Sequence, residues 1–359
     1  MRSDRPTFWI STVLVVLLTT PSAFADERPW HHDPLPDLVQ ARIAARDALL
    51  AALLPPPEDL QFFADKTKTW DPGSVVRVAF DGGDATLRRQ IAEVAAEWTA
   101  HAHLRLDFGD APAYRSWSAA DTEYQAEIRV TFAGTGYHST IGTDATDPLV
   151  VGPGESSMTL AGFDVRRPAT WKATVRHEFG HALGLLHEHQ QPSAPCQRAF
   201  RWKDEPGYRL TLDDRHRAIT DRSGRQPGIY TILGNAPWHW PEARADHNLR
   251  KKPVSDAFES GPFDRASIMR YWFPPWMFRD GAAALCTPRE RNLVLSDKDK
   301  AGVATLYPRR RGLIRELLGE RKRYYGLLTA IEALPARLRV AYGERLHRIT
   351  EALDALDHG

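Results

Sequence analysis

The sequence predicts an α+β fold in which a helix-backed sheet leads into an irregular half and a helical tail. Three observations carry this. The runs SVVRVAF (74–80), HLRLDF (103–108) and AEIRVTF (126–132) alternate apolar and polar residues, the period of half-buried strands. Between the first two, DGGD turns the chain into a segment with Leu87, Ile91, Val94 and Trp98 at i, i+4, i+7 and i+11, one face of a helix. Third, residues 176–192 read RHEFGHALGLLHEHQQP, with four histidines, two glutamates and two glycines in seventeen positions.

At 359 residues, 42% hydrophobic and 26% charged, the chain falls in the globular class, long enough for one large core with satellites or for two domains. A net charge of +1 supplies no field to recruit nucleic acid or an anionic membrane. The start of the chain reads as a signal peptide, residues 1–25. Arg2 and Arg5 precede an apolar run at 8–20, and Ala23 and Ala25 stand in A-x-A spacing before the predicted cut after Ala25. The run is shorter than the about 20 apolar residues that span a bilayer, so no stable membrane insertion is expected after cleavage. Export, to the periplasm or outside the cell, implies an oxidising compartment where the only two cysteines, Cys196 and Cys286, can pair.

The remaining elements follow in order. Residues 26–70 hold one amphipathic helical stretch closed by Pro55, Pro56 and Pro57, a flanking or pro-segment. SSMTLAGF (156–163) reads as a further strand ahead of the His-rich helix. Residues 192–265 are irregular, rich in Pro, Gly, Trp and charge. In SDKDKAGVATLYP (296–308), Ser296 with Asp299 three on reads as a helix N-cap. Residues 309–359 form a helical extension with apolar rows Leu327, Ile331, Leu334, Leu338 and Leu346, Ile349, Leu353, Leu356. Its Arg-rich start reads as a solvated face.

The His-rich segment carries the chemistry. On a helix His177 and His181 are about 40° apart, one turn from each other, and chelate from one face. Glu178 sits beside them, within reach of a water but outside the ligand set. A continuing helix would carry His187 about 80° round and roughly 15 Å along the axis, too far to share a metal. Gly184 resolves this, because glycine accepts the left-handed conformation that ends a helix and turns the chain back. Three imidazoles with an open fourth position describe one catalytic zinc. A chance occurrence of H-E-x-x-H-x-x-G-x-x-H in this composition is on the order of one in ten thousand. His189, His138, His216 and His239 lack spaced partners and are read as surface or hydrogen-bonded residues.

The motif HEFGHALGLLHEH resembles that of the metzincins, and within them the astacins, whose third histidine is followed by glutamate, here His187 and Glu188. SIMRYW is similar to the astacin Met-turn, placing Met269 under the metal and Tyr271 two residues on. GYHSTIGTDA, SSMTLAGF and SDKDKAGVATLYP extend the resemblance over about residues 70–308. It implies a catalytic domain at 71–308 with a twisted mixed sheet, an active-site helix and a mostly irregular lower subdomain carrying the Met-turn. It also implies that SSMTLAGF, through Ser157, Met158, Thr159, Leu160 and Ala161, is the edge strand on which substrate lies. Arg270 stands where the family commonly has histidine, and the cysteine pattern is not that of animal astacins. Glu188 anchors a freshly cut N-terminus in that family; read from this sequence alone it is a buried carboxylate with a local donor. QFFAD (61–65) resembles the F-x-G-D of astacin pro-segments, but Ala64 replaces the glycine and Asp65 is not expected to block the metal.

The expected activity is that of an exported zinc metalloendopeptidase. Water activated by the metal attacks a peptide carbonyl, Glu178 acts as general base and acid, Tyr271 donates to the oxyanion, and Met269 floors the site. The partner is a peptide or protein substrate bound by strand addition, with no nucleic acid involved; oligomeric state is left open. The alternative is a metal-binding, peptide-binding module with little or no turnover, against which an intact Glu178 argues.

Overall fold

The computed structural model describes residues 34–53, 68–251, 262–287 and 291–358. The predicted signal peptide, the QFFAD stretch with Asp65, and positions 26–33 and 54–67 of the predicted flank lie outside the described residues. Helix α1 (Asp37–Leu53) comes first, then β1 (Val75–Phe80), α2 (Ala85–Thr99), β2 (Arg105–Asp107), β3 (Ile128–Thr131), β4 (Tyr137–Ser139), β5 (Met158–Leu160) and α3 (Trp171–Ala182). The second half has three short helices, α4 (Cys196–Ala199), α5 (Ile229–Gly234) and α6 (Glu242–Leu249), then α7 (Asp297–Leu306), α8 (Arg311–Ala330) and α9 (Ala336–His358).

The sheet is mixed and five-stranded, in the order β2-β1-β3-β5-β4. β1 pairs in parallel with β2 and β3, β3 in parallel with β5, and β4 runs antiparallel to β5 with His138 opposite Thr159. This corrects the expectation for residues Ser157, Met158, Thr159, Leu160 and Ala161. Both edges of β5 are taken up by neighbours, so β5 is an interior strand and β4 is the edge. Alternation along a strand reports which face is buried and says nothing of sheet order.

α2 starts at Asp84, whose side chain accepts the Leu87 N–H at 2.7 Å, an N-cap that satisfies an orphan donor. It buries Leu87, Ile91, Val94 and Trp98, the row read from the sequence. The Trp98 indole N–H donates to the Arg176 carbonyl at 2.8 Å, and Arg176 pairs with Glu97 at 2.7 Å, so α2 and α3 are locked side by side beneath the sheet. Sheet, α2 and α3 enclose one buried cluster, which also takes in Ile268, Met269, Leu295, Val303 and Tyr307.

A second cluster fills the irregular half around Phe200, Ile229, Leu233, Tyr271, Phe273 and Phe278, together with the Cys196–Cys286 disulfide, whose Cα atoms are 5.0 Å apart. In a stretch so poor in regular structure, aromatic rings substitute for ladders: Phe200 stacks on Phe278 at 5.1 Å and meets Phe273 edge-on at 4.9 Å. The third cluster joins α8 and α9 to α1 through Ile314, Leu318, Tyr325, Leu328, Ile349 and Leu50. The predicted row Leu327, Ile331, Leu334, Leu338 does not lie on one helix, because α8 ends at Ala330 and α9 begins after Pro335; Pro335 has no N–H to continue a helix. Among the described residues no helix is long and apolar enough to cross a membrane.

The disulfide links positions 90 residues apart, and cross-linking so long a loop restrains the unfolded chain strongly. The double variant Cys196→Ala/Cys286→Ala should unfold in denaturant with a loss of about 2–5 kcal/mol. An unchanged midpoint and slope would assign the order of the second cluster to its aromatic packing alone.

Candidate metal centre

α3 presents His177 and His181 one turn apart and ends at a glycine-terminated reversal. Gly184 has φ +94°, its N–H donates to His181 O at 2.8 Å, and the Leu185 N–H donates to Gly180 O at 3.0 Å. This paired 5→2 and 6→1 closure is the Schellman motif. It satisfies two end carbonyls of α3 and sends the chain back so that His187 returns to the face it left. His177, His181 and His187 form a three-residue group that could hold a metal ion, the one such group of histidine, cysteine or carboxylate side chains among the described residues.

The protonation pattern of the three rings follows from what their other nitrogens face. His177 Nδ1 lies 2.7 Å from Ile268 O and His181 Nδ1 2.8 Å from Leu185 O; carbonyl oxygens only accept, so both Nδ1 atoms carry the proton. His187 Nδ1 faces Gln190 Oε1 at 3.4 Å, and the Gln190 amide nitrogen is spent on His247 O and Arg250 O, which fixes the oxygen towards the ring. The Nε2 lone pairs are therefore left for the centre. His181 Nε2 is 3.2 Å from His177 Nε2 and 3.1 Å from His187 Nε2. Nitrogens bound tetrahedrally to zinc at 2.0–2.1 Å are about 3.3 Å apart. Three lone pairs at that spacing repel one another unless a cation lies between them, so the donor set fits a zinc ion.

Glu178, next to His177 on α3, is fully buried. The segment 264–271 closes the site from below. Met269 belongs to the first cluster and Tyr271 to the second, so the Met-turn crosses the seam between them. The Tyr271 ring lies 4.3 Å from His187, 6.3 Å from His177 and stacks on His189 at 4.6 Å. Glu188 joins the third histidine to this segment: its N–H donates to Met269 O at 3.0 Å, and its carboxylate accepts the Asp264 N–H at 2.5 Å and the Gln191 side-chain amide. Burial pushes the Glu188 carboxyl up to about 7. Arg270 is buried, with its guanidinium donating to Arg265 O at 2.9 Å and to Cys286 O, so it ties the turn to the disulfide; burial lowers it to about 10.

Several residues at the site were not singled out from the sequence. Asp299, read only as part of an N-cap, does form a capping box with Ser296, but it also accepts from Ser267 Oγ at 2.6 Å and Ile268 N at 2.8 Å. It thereby fixes the residue whose carbonyl holds His177. Burial raises the Asp299 carboxyl. Gly180 packs so closely that a Cβ there would run into Met269 Sδ and come within 3.0 Å of Trp98. His189, read as a surface or hydrogen-bonded histidine, is fully buried, with Nε2 2.9 Å from Asn248 O. The local signals for Gly180 and Asp299 were present, a glycine inside a helix and an acid beyond the cap, but neither names its partner.

Asp299→Asn keeps the shape and replaces one acceptor oxygen by a donor, which leaves one of the three N–H or O–H groups facing it without a partner. Chemical denaturation should register a loss of about 1–3 kcal/mol. Stability equal to the parent protein would remove Asp299 from the frame of the Met-turn.

Two solved structures of myroilysin are similar to this chain. One is 28% identical, with the match covering 68% of this chain and 97% of that one at a TM-score of 0.49. The other is 26% identical, covering 71% and 98% at a TM-score of 0.43. No family model and no curated protein matches the chain.

Proposed function

We propose that the protein is an exported zinc-dependent metalloendopeptidase of the astacin-like metzincin kind, with residues 71–308 as its catalytic unit. The observation that carries this reading is the convergence of three Nε2 lone pairs at 3.1–3.2 Å beside a fully buried glutamate on the same helix. His177, His181 and His187 would hold the ion. Bound there, zinc supplies a Lewis acid and lowers the pKa of water towards neutrality.

Glu178 takes a proton from the attacking water and delivers it to the nitrogen of the leaving amine. Tyr271 turns its phenol O–H towards the developing oxyanion and donates to it. Met269 fills the floor under the three rings with a soft apolar side chain. An intact Glu178 beside the three histidines argues against a metal-binding peptide clamp without turnover.

Substrate belongs on β4 rather than β5. Thr140 N–H donates to Ser157 O and Ala161 N–H to Gly136 O, so in antiparallel alternation the backbone groups of Tyr137 and Ser139 point to the outer edge. An extended peptide added there continues the sheet, and α3 packs against β4 from below. That mode reads backbone, as a peptide substrate requires.

Purified protein should bind about one zinc per chain and cut unfolded polypeptides, with cutting abolished by a chelator and restored by zinc. Glu178→Ala should keep the metal and lose kcat by roughly 10²- to 10⁴-fold. Tyr271→Phe should keep the metal and lose about 10²-fold in kcat with little change in KM. Full cutting activity in Glu178→Ala would refute the mechanism, and an unchanged kcat in Tyr271→Phe would confine the tyrosine to packing.

A further inference from the structure

The C-terminal helices α8 and α9 pack on each other and on α1 through apolar side chains, yet each also sends one arginine the other way, into the body of the protein. Arg321 is 3% exposed and Arg345 8%. Both are aimed at the segment 69–71. Arg321 Nη1 donates to Trp70 O at 2.7 Å and pairs with Asp71 at 2.5 Å, while its Nη2 donates to Thr69 Oγ1. Arg345 Nη2 donates to Thr69 O at 2.6 Å and lies 3.8 Å from Asp71. Burial works to raise the Asp71 carboxyl, but Arg345 and Arg321 hold it below its ordinary value, so the cluster is an ionised one.

The segment so gripped is the cap of the metal helix. The Trp70 indole N–H donates to Ala182 O at 2.8 Å. The Trp70 backbone N–H donates to the Tyr307 oxygen at 3.2 Å, and the Tyr307 hydroxyl donates to Leu183 O at 2.7 Å. These carbonyls are among the last of α3, which have no partner within the helix. The Thr69 methyl lies 2.8 Å from where a Cβ on Gly184 would stand, against the glycine whose positive φ reverses the chain three residues before His187. Hairpin, segment 69–71, Gly184 turn and third ligand form one continuous set of contacts.

We propose that the α8–α9 hairpin is part of the support of the metal centre, with Arg321 and Arg345 as positioning residues that press residues 69–71 onto the Gly184 turn and keep His187 at its ligand position. The proposal rests on the metal-binding reading given above. It predicts that the hairpin governs how tightly zinc is held, beyond any general effect on folding.

The test is the dissociation constant of zinc, measured on the full chain by competition with a chromophoric chelator. Four variants are compared with the parent: Arg321→Met, Arg345→Met, Trp70→Phe and, as a control, Val76→Ala in the core of the sheet. Trp70→Phe removes the indole N–H together with the smaller ring that carries it, a packing loss for which Val76→Ala is the control, and it decides the matter if the arginine variants do not fold. Loss of a group that orients a ligand typically costs 10- to 100-fold in metal affinity. The expected result is zinc weakened about 10-fold or more in Trp70→Phe and in each folded arginine variant, with Val76→Ala within about twofold of the parent. Equal affinity in the parent, Trp70→Phe and the arginine variants overturns the proposal, as does an equal loss in Val76→Ala. A parent protein that takes up no zinc overturns the metal reading itself, and this inference with it.

Discussion

The Nε2 atoms of His177 and His187 are held 3.2 and 3.1 Å from that of His181, and nothing in an ordinary core requires that. Left to themselves, neutral rings so placed would turn a nitrogen outward to a donor. Here the opposite edge of each ring is pinned by an acceptor, Ile268 O, Leu185 O or Gln190 Oε1. Each pin belongs to a different structural unit: the Met-turn, the Schellman closure of α3, and the turn after the third histidine. The geometry of the site is thus a demand placed on three separate parts of the chain, and much of the rest of the fold meets it.

The Met-turn is the most heavily secured of them. Asp299 accepts from Ser267 and Ile268, Glu188 donates its N–H to Met269 O, and Arg270 reaches the backbone at Cys286. Because Met269 packs with the sheet and Tyr271 with the aromatic cluster, this short segment is also where the two halves meet. Most of these hydrogen bonds join a buried side chain to the backbone, and such networks specify one arrangement. Between the metal helix and α7 the described residues hold only short helices, which the disulfide and the ring contacts around Phe200, Phe273 and Phe278 offset.

The histidine cluster was more legible in the sequence than the scaffold around it. Spacing along one helix and a single glycine suffice to bring His177, His181 and His187 together, because local geometry fixes both. The face of α2 was legible for the same reason. Sheet order was not: β4 is three residues, Tyr137–Ser139, with no alternation to announce it, and the expectation of an edge at β5 rested on the family resemblance alone. The tail's first apolar row was read across Pro335 although a proline divides it. The partners of Asp299, Gly180, Arg321 and Arg345 were not legible because they lie far off in sequence; Arg321 and Trp70 are 251 residues apart. Contacts of that range follow from the packed chain alone.

The central claim is that the three Nε2 atoms bind one zinc ion through nitrogen only, leaving a position open for chemistry. X-ray absorption at the zinc edge of the purified protein tests this most directly. The account predicts three imidazole nitrogens at about 2.0–2.1 Å with one or two light-atom neighbours from solvent or Tyr271, and no sulfur. A sulfur shell near 2.3 Å, a metal retained by His187→Ala with an unchanged spectrum, or no bound metal would contradict it.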